Sequence, residues 1–142
     1  MLTEGHVSLV TGAALGIGAG IAELFARNGA EVYLLDIDAA GAEAKAAQIR
    51  AAGGKAHVMK CDVSNRAECA AAVEEAMKRH GRIDSLINNA GIYPRRVFLE
   101  TTEADWDRMQ EVNVKSLMHT CQLVLPHMIA RRSGKIVNIS SV

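Results

Sequence analysis

Val7-Ser8-Leu9-Val10-Thr11-Gly12-Ala13-Ala14-Leu15-Gly16-Ile17-Gly18 changes character twice. It begins as an apolar run, passes through a glycine-punctuated turn and opens an alanine-rich amphipathic segment. The pattern is strand, tight loop, helix. Such a junction aims loop amides and a helix N-terminus at one point, where they can hold a phosphate or pyrophosphate. Gly12 is expected to turn the chain off the strand, Gly16 to clear the approach of the phosphates, and Gly18 to let the helix lie close against the sheet. The spacing Gly12-x-x-x-Gly16-x-Gly18 departs from G-x-G-x-x-G, and a glycine loop alone is equally an ordinary strand-to-helix turn. No Lys-Ser or Lys-Thr follows Gly18, so the loop is not a Walker A motif.

Downstream, strand and helix signals alternate. Ile17, Ile21, Leu24 and Phe25 predict one apolar helix face, stopped near Asn28-Gly29. Glu31–Asp36 reads as the second strand, residues 39–52 as a helix stopped by Gly53-Gly54, and residues 56–61 as a weaker third strand. Ser64 or Asn65 can cap the next helix, with Asn65 and Glu68 fitting a capping box. Cys69, Val73 and Met77 line that helix up to His80-Gly81, and Ser85–Asn88 is the fourth strand. Thr102 and Asp105 open a long helix carrying Trp106, Met109, Val112, Leu117 and Leu123, with Pro126 expected to kink or end it. Residues 135–140 form the fifth strand. Alternation of this kind means βαβ units and a parallel sheet with helices on both faces. The expected fold is a Rossmann-type doubly wound α/β sheet of order 3-2-1-4-5, truncated after the fifth strand, with its ligand at the C-terminal strand ends.

With 142 residues the chain suggests one domain, a dinucleotide-binding unit over residues 1–142. The hydrophobic fraction is 49% but the aromatic fraction only 4%, so Ala, Val, Ile, Leu and Met must build the core. A formal net charge of +0 leaves no basic footprint for nucleic acid. No apolar run is long enough to span a bilayer, and Met1-Leu2-Thr3-Glu4-Gly5 carries no secretory pattern. Cys61, Cys69 and Cys121 are scattered without a C-x-x-C pair, which points to reduced thiols and a cytoplasmic location. His6, His57, His80, His119 and His127 show no metal-ligand spacing and are read as surface or partly buried residues, with no metal expected.

Asp36 ends the second strand near the position where an acidic residue meets the adenosine ribose diol. A carboxylate there repels a 2′-phosphate, and neither Ala13 nor Ile37 supplies a compensating cation. NAD is therefore favoured over NADP. Asp62 is a candidate to hydrogen-bond the adenine, or alternatively a helix-capping group beside Ser64. Asn88-Asn89-Ala90-Gly91 places two amides and a glycine at the end of a buried strand. Asn89 is expected to hold the fourth strand against the first, and Gly91 to admit the cofactor.

These elements occur in order with Asn113, within Glu111-Val112-Asn113-Val114, and Asn138-Ile139-Ser140-Ser141. Together they resemble the short-chain dehydrogenase/reductase (SDR) family over essentially the whole chain. The resemblance implies an oxidoreductase moving hydride between NAD(H) and a small-molecule alcohol or ketone. It implies that Gly12, Gly16, Ile17 and Gly18 hold the pyrophosphate, Asp36 the ribose, and Asp62 and Val63 the adenine. Asn89, Ala90 and Gly91 would line the cleft. Asn113 would support a water in a proton relay, and Ser141 would hydrogen-bond the substrate oxygen. Relatives commonly form dimers or tetramers, so a homo-oligomer is expected of the complete enzyme.

The family's acid–base Tyr-x-x-x-Lys is not among these residues; the tyrosines are Tyr33 and Tyr93. The expectation is thus the N-terminal part of a longer enzyme, with its fifth strand left as an apolar edge. The alternative is a non-catalytic NAD-binding module. A methyltransferase-like nucleotide fold is disfavoured by the Asn-Asn-Ala-Gly and Ser-Ser elements. Ile92-Tyr93-Pro94-Arg95-Arg96 could border the active site and receive an anion, but a solvated loop is the simpler expectation.

Overall fold

Apolar runs bounded by turn residues form the strands, and the central β-strands are buried between helices on both faces of the sheet. The computed structural model describes residues 3–141. Met1, Leu2 and Val142 lie outside the described residues. The strands are β1 (Val7–Thr11), β2 (Glu31–Asp36), β3 (Lys55–Lys60), β4 (Ser85–Asn88) and β5 (Lys135–Asn138). The helices are α1 (Gly16–Arg27), α2 (Ala39–Ala51), α3 (Arg66–His80), α4 (Glu103–Gln110) and α5 (Ser116–Arg131). A 3-10 turn, Phe98–Glu100, precedes α4, and a π-helical turn, Glu111–Lys115, joins α4 to α5.

All pairings are parallel and the order is β3-β2-β1-β4-β5, as expected. Strand alternation divides the core into two layers. Val10, Val32 and Leu34 pack with the alanines of α1 and α2 on one face. Val7, Leu9, Tyr33 and Leu35 pack with α3 and α5 on the other. β3 and β5 are the two sheet edges among the described residues, and Val137 and Ile139 on the β5 side are exposed, as anticipated.

Asp84 ties the base of the sheet together. Its carboxylate accepts from the Val7 amide (2.9 Å), Arg82 Nη2 (2.6 Å) and Arg131 Nη2 (3.0 Å).

Four helix expectations need correction. First, α1 does not bury Ile17 and Leu24, which are exposed; it buries Gly18, Ala19, Ala22 and Ala26. The helix approaches the sheet too closely for larger side chains. Second, the long helix is interrupted at Glu111–Lys115, and Trp106 is exposed. An extra residue per turn shifts the helical phase by about 100°, so one 3.6-residue stripe cannot run through both halves. The buried positions after the interruption are Ser116, His119, Thr120, Val124 and Met128. Third, Pro126 neither ends the helix nor stops it short of Arg131. Pro126 and Gln122 are both exposed, so water can reach the carbonyl that the missing N–H leaves unpaired. Fourth, Asn65 caps α3 through the Ala67 and Glu68 amides, but Glu68 reaches the Asp62 amide (2.7 Å) instead of completing a capping box.

Candidate functional site

The C-terminal ends of β1, β2 and β4 border a cleft of about 450 Å³ lined by Gly12, Gly16, Ile17, Asp36, Asp62, Val63, Asn89, Ala90 and Gly91. The structure brings together on its wall the cofactor positions expected from sequence except Gly18, which is buried behind the loop. Leu15, Ile37, Cys61, Ile92, Arg108 and Val112 complete the lining.

The N-terminus of α1 forms the floor. Gly12 and Gly16 both have left-handed φ, +64° and +62°. A side chain on Gly12 would meet the backbone of Ala90 at 2.8 Å, whereas Gly16 faces open space. The two glycines are thus needed for different reasons: one for packing, one for clearance. A Cβ on Gly18 would lie 2.2 Å from the Gly12 carbonyl oxygen, so the close contact is with the loop itself.

Hydrogen bonding narrows which amides are free to meet an anion. Gly12 N–H donates to the Leu35 carbonyl (2.8 Å), and Ala14 N–H donates to Asp36 Oδ2 (2.9 Å). The loop amides at these positions are already engaged, which corrects the expectation that the loop as a whole aims at the ligand. The first turn of α1 differs. Leu15 provides no side-chain cap, and the turn contains no acidic residue. By contrast, α2, α3 and α4 are capped by Asp38, Asn65 and Thr102. An uncapped helix start beside a glycine with open space fits a bound pyrophosphate by charge and by shape.

Asp36 is held at the rim by the amides of Ala14 and Asp38, each at 2.9 Å. Two carboxylate oxygens retain further lone pairs, so a diol can still be accepted. Asp62 is more committed. Its Oδ1 accepts from the Ser64 amide (2.9 Å) and hydroxyl (2.6 Å), and its Oδ2 from Arg108 (3.2 Å). Burial alone would raise the Asp62 carboxyl, but these hydrogen bonds outweigh it and hold the group below the usual carboxylate range. Val63 is buried in the core, with its carbonyl 3.2 Å from His119 Nδ1.

Asn89 does what the sequence suggested. Its Nδ2 donates to the carbonyls of Thr11 and Gly12, both at 3.1 Å. Thr11 Oγ1 returns the contact by accepting from the Asn89 and Ala90 amides, each at 3.0 Å. Asn88 faces the other way: Thr120 donates to its Oδ1 (2.7 Å), and its Nδ2 donates to Asn138 (2.9 Å). Asn113 sits in the π-helical turn and clamps Ile92 twice. Its Oδ1 accepts from the Ile92 amide (2.8 Å) and its Nδ2 donates to the Ile92 carbonyl (2.9 Å). Ser141 follows β5 at the same edge of the sheet and is exposed. Sequence reading missed the double-acceptor role of Thr11 and the reach of Arg108 to Asp62. Thr11, polar at the end of an apolar strand, was a usable signal; Arg108 offered none.

A family model described as short chain dehydrogenase matches residues 6–142. The chain belongs to the short-chain dehydrogenase family. The 3-oxoacyl-[acyl-carrier-protein] reductase of Thermotoga maritima is 39% identical over 142 residues, all of this chain and 58% of that protein. A metagenomic short-chain oxidoreductase solved with NADP superposes with a TM-score of 0.94 at 38% identity, covering 100% of this chain and 65% of the other. A 7α-hydroxysteroid dehydrogenase solved with NADH and 7-oxo glycochenodeoxycholic acid gives 0.92 at 37% identity, covering 98% and 54%. The chain therefore spans little more than half to two thirds of these short-chain dehydrogenases. Among the described residues no helix is long and apolar enough to cross a membrane.

Proposed function

We propose that residues 1–142 form the dinucleotide-binding domain of an oxidoreductase acting on a small alcohol or carbonyl compound, with NAD(H) preferred over NADP(H). The carrying observation is the uncapped start of α1 beside the open space at Gly16, facing the carboxylate of Asp36. When bound, the nicotinamide supplies the hydride acceptor or donor.

The chain's own residues have separable tasks. Gly12, Gly16, Ile17 and Gly18 bring the α1 amides to the pyrophosphate. Asp36 accepts the ribose hydroxyls and disfavours a 2′-phosphate by charge. Asp62 and Val63 border the adenine, and Asn89, Ala90 and Gly91 form the wall toward the nicotinamide. Asn113, fixed by its two bonds to Ile92, positions a relay water. Ser141 hydrogen-bonds the substrate oxygen. Proton transfer from an alcohol needs a group titrating near the working pH, and that task falls to a tyrosine–lysine pair outside these residues. A cytoplasmic location accords with the three free cysteines. Exposed Trp106, Val114 and Met118 support a homo-oligomer, a dimer or tetramer of the complete protein.

Titration of the purified chain with NADH and NADPH tests the reading. The expected result is saturable binding with at least about tenfold preference for NADH, erased in Asp36→Ser. Equal or tighter NADPH binding would overturn the preference, and no binding of either would overturn the site. Turnover of secondary alcohols by the longer polypeptide, lost in Ser141→Ala, tests the activity; binding without turnover would leave a nucleotide-binding module.

A further inference from the structure

Glu31, His57 and His80 are distant in sequence and meet on the face of the sheet that α3 covers. The parallel register pairs Glu31 with Lys55 and Tyr33 with His57. Strand alternation therefore sends all four side chains to one face. The last residue of α3, His80, closes over them. Among the described residues, one ligand atom each from Glu31, His57 and His80 falls within 4.8 Å of the others. All three residues are half-buried.

The cluster is pre-shaped by ring packing. The His57 ring stacks on Tyr33 at 4.7 Å and 27°, and His80 meets Tyr33 edge-on at 5.8 Å. His57 Nε2 lies 2.8 Å from Glu31 Oε2, and His80 Nε2 lies 3.1 Å from the Tyr33 hydroxyl. Tetrahedral zinc, with ligands about 2.0–2.2 Å away, needs them roughly 3.4 Å apart, a small adjustment from this geometry.

We propose that Glu31, His57 and His80 bind a divalent transition-metal ion of the zinc type, at a site separate from the nucleotide cleft. Two imidazoles and one carboxylate form a donor set suited to zinc and poorly suited to magnesium or calcium.

Two cations stand where they would oppose a metal. Arg79 Nη1 is 3.3 Å from His57 Nδ1, and Lys55 Nζ is 3.1 Å from Glu31 Oε1. Coordination through His57 Nε2 requires a proton on Nδ1, so Arg79 must leave it. Both side chains are mostly exposed, 54% and 66%, and are free to swing outward. Metal binding would tie β2, β3 and α3 at one point and displace those two contacts.

The test uses the purified, untagged chain, stripped with a chelator and titrated with Co²⁺ and then Zn²⁺. One equivalent of Co²⁺ should give the visible absorption of a four-coordinate ion, and Zn²⁺ should displace it and raise the melting temperature. His57→Gln and His80→Gln should each weaken binding by at least about tenfold. Arg79→Met and Lys55→Gln keep every ligand and should tighten binding several-fold. Absence of stoichiometric binding, unchanged affinity in both histidine variants, or no tightening in either cation variant would overturn the proposal. Near-ultraviolet thiolate-to-cobalt absorption would also overturn it, by placing the ion on Cys61 and Cys69.

Discussion

Gly18→Ala measures how closely α1 approaches the glycine loop. The added Cβ would lie 2.2 Å from the Gly12 carbonyl oxygen, 2.6 Å from Asn89 Nδ2 and 2.9 Å from the Gly12 carbonyl carbon. Two of these atoms are backbone, so the neighbours cannot simply rotate away. Relieving the shortest contact needs a displacement on the order of 1 Å, judged against ordinary van der Waals separation. Overpacking of that kind costs about 1–3 kcal/mol. Displacing Asn89 also weakens its bonds to the Thr11 and Gly12 carbonyls, at about 1 kcal/mol each. Alanine recovers up to about 1 kcal/mol of helix propensity. The net is a loss of about 2–3 kcal/mol, or roughly 6–10 °C in Tm for a domain of this size. Gly20→Ala is the internal control. Gly20 lies in the same helix, is exposed, and has nothing within 4 Å of its would-be Cβ. It should gain about 0.5–1 kcal/mol. Urea and thermal melts followed by far-UV circular dichroism read both. If Gly18→Ala matches the parent chain or exceeds it, the proximity argument is wrong.

Gly16→Val should leave the melt within about 1–2 kcal/mol of the parent, the cost of a side chain at left-handed φ, while abolishing NADH binding. Retained binding in a titration would remove Gly16 from the site. Burial pushes the Asp84 carboxyl up, but Arg82, the Val7 amide and Arg131 outweigh it and hold it far below the usual range. A depressed native pKa means that the contribution is complete above the unfolded value of about 3.9 and is lost progressively as pH falls below it toward the folded value. Asp84→Asn should cost on the order of 2–3 kcal/mol at neutral pH and flatten the stability profile between about pH 5 and 3. Urea midpoints across pH check both, and a parallel profile refutes the assignment. Asn113→Ala removes both bonds to Ile92, so residues 92–101 should be cleaved faster in limited proteolysis, with a stability loss of about 1–2 kcal/mol. An unchanged cleavage rate would show that the clamp does not order this loop.

Sheet order and the glycine junction were legible because they rest on local chemistry. Turn glycines, β-branched runs and helix stops act within a few residues, and Asn89 at a strand end has few ways to satisfy its amide. The inward face of α1 was not legible, since large apolar residues are usually the buried ones. Here close approach selects Gly18, Ala19, Ala22 and Ala26, and leaves Ile17 and Leu24 outside. Nor was the division of labour among the loop amides, which depends on β2 presenting the Leu35 carbonyl and Asp36 to them. Arg108 is one charge on a charged helix until α4 lies across Asp62. Glu31, His57 and His80 have no motif spacing because parallel register and a helix end, not sequence proximity, bring them together.

The π-helical turn acts as a gear between two helices. α4 directs Arg108 toward Asp62, while α5 turns Val124 and Met128 into the core. In an uninterrupted α-helix those two orientations would be locked to one angular relation; the wider turn offsets them. Its length is therefore a setting as much as its composition is. Deleting any one residue of Glu111–Lys115 would keep most side chains yet rotate the two helices relative to each other by about 100°. Outside Val112 and Asn113, this segment should accept substitutions far more readily than a change in length, unlike an ordinary surface loop, where insertions and deletions are the tolerated events.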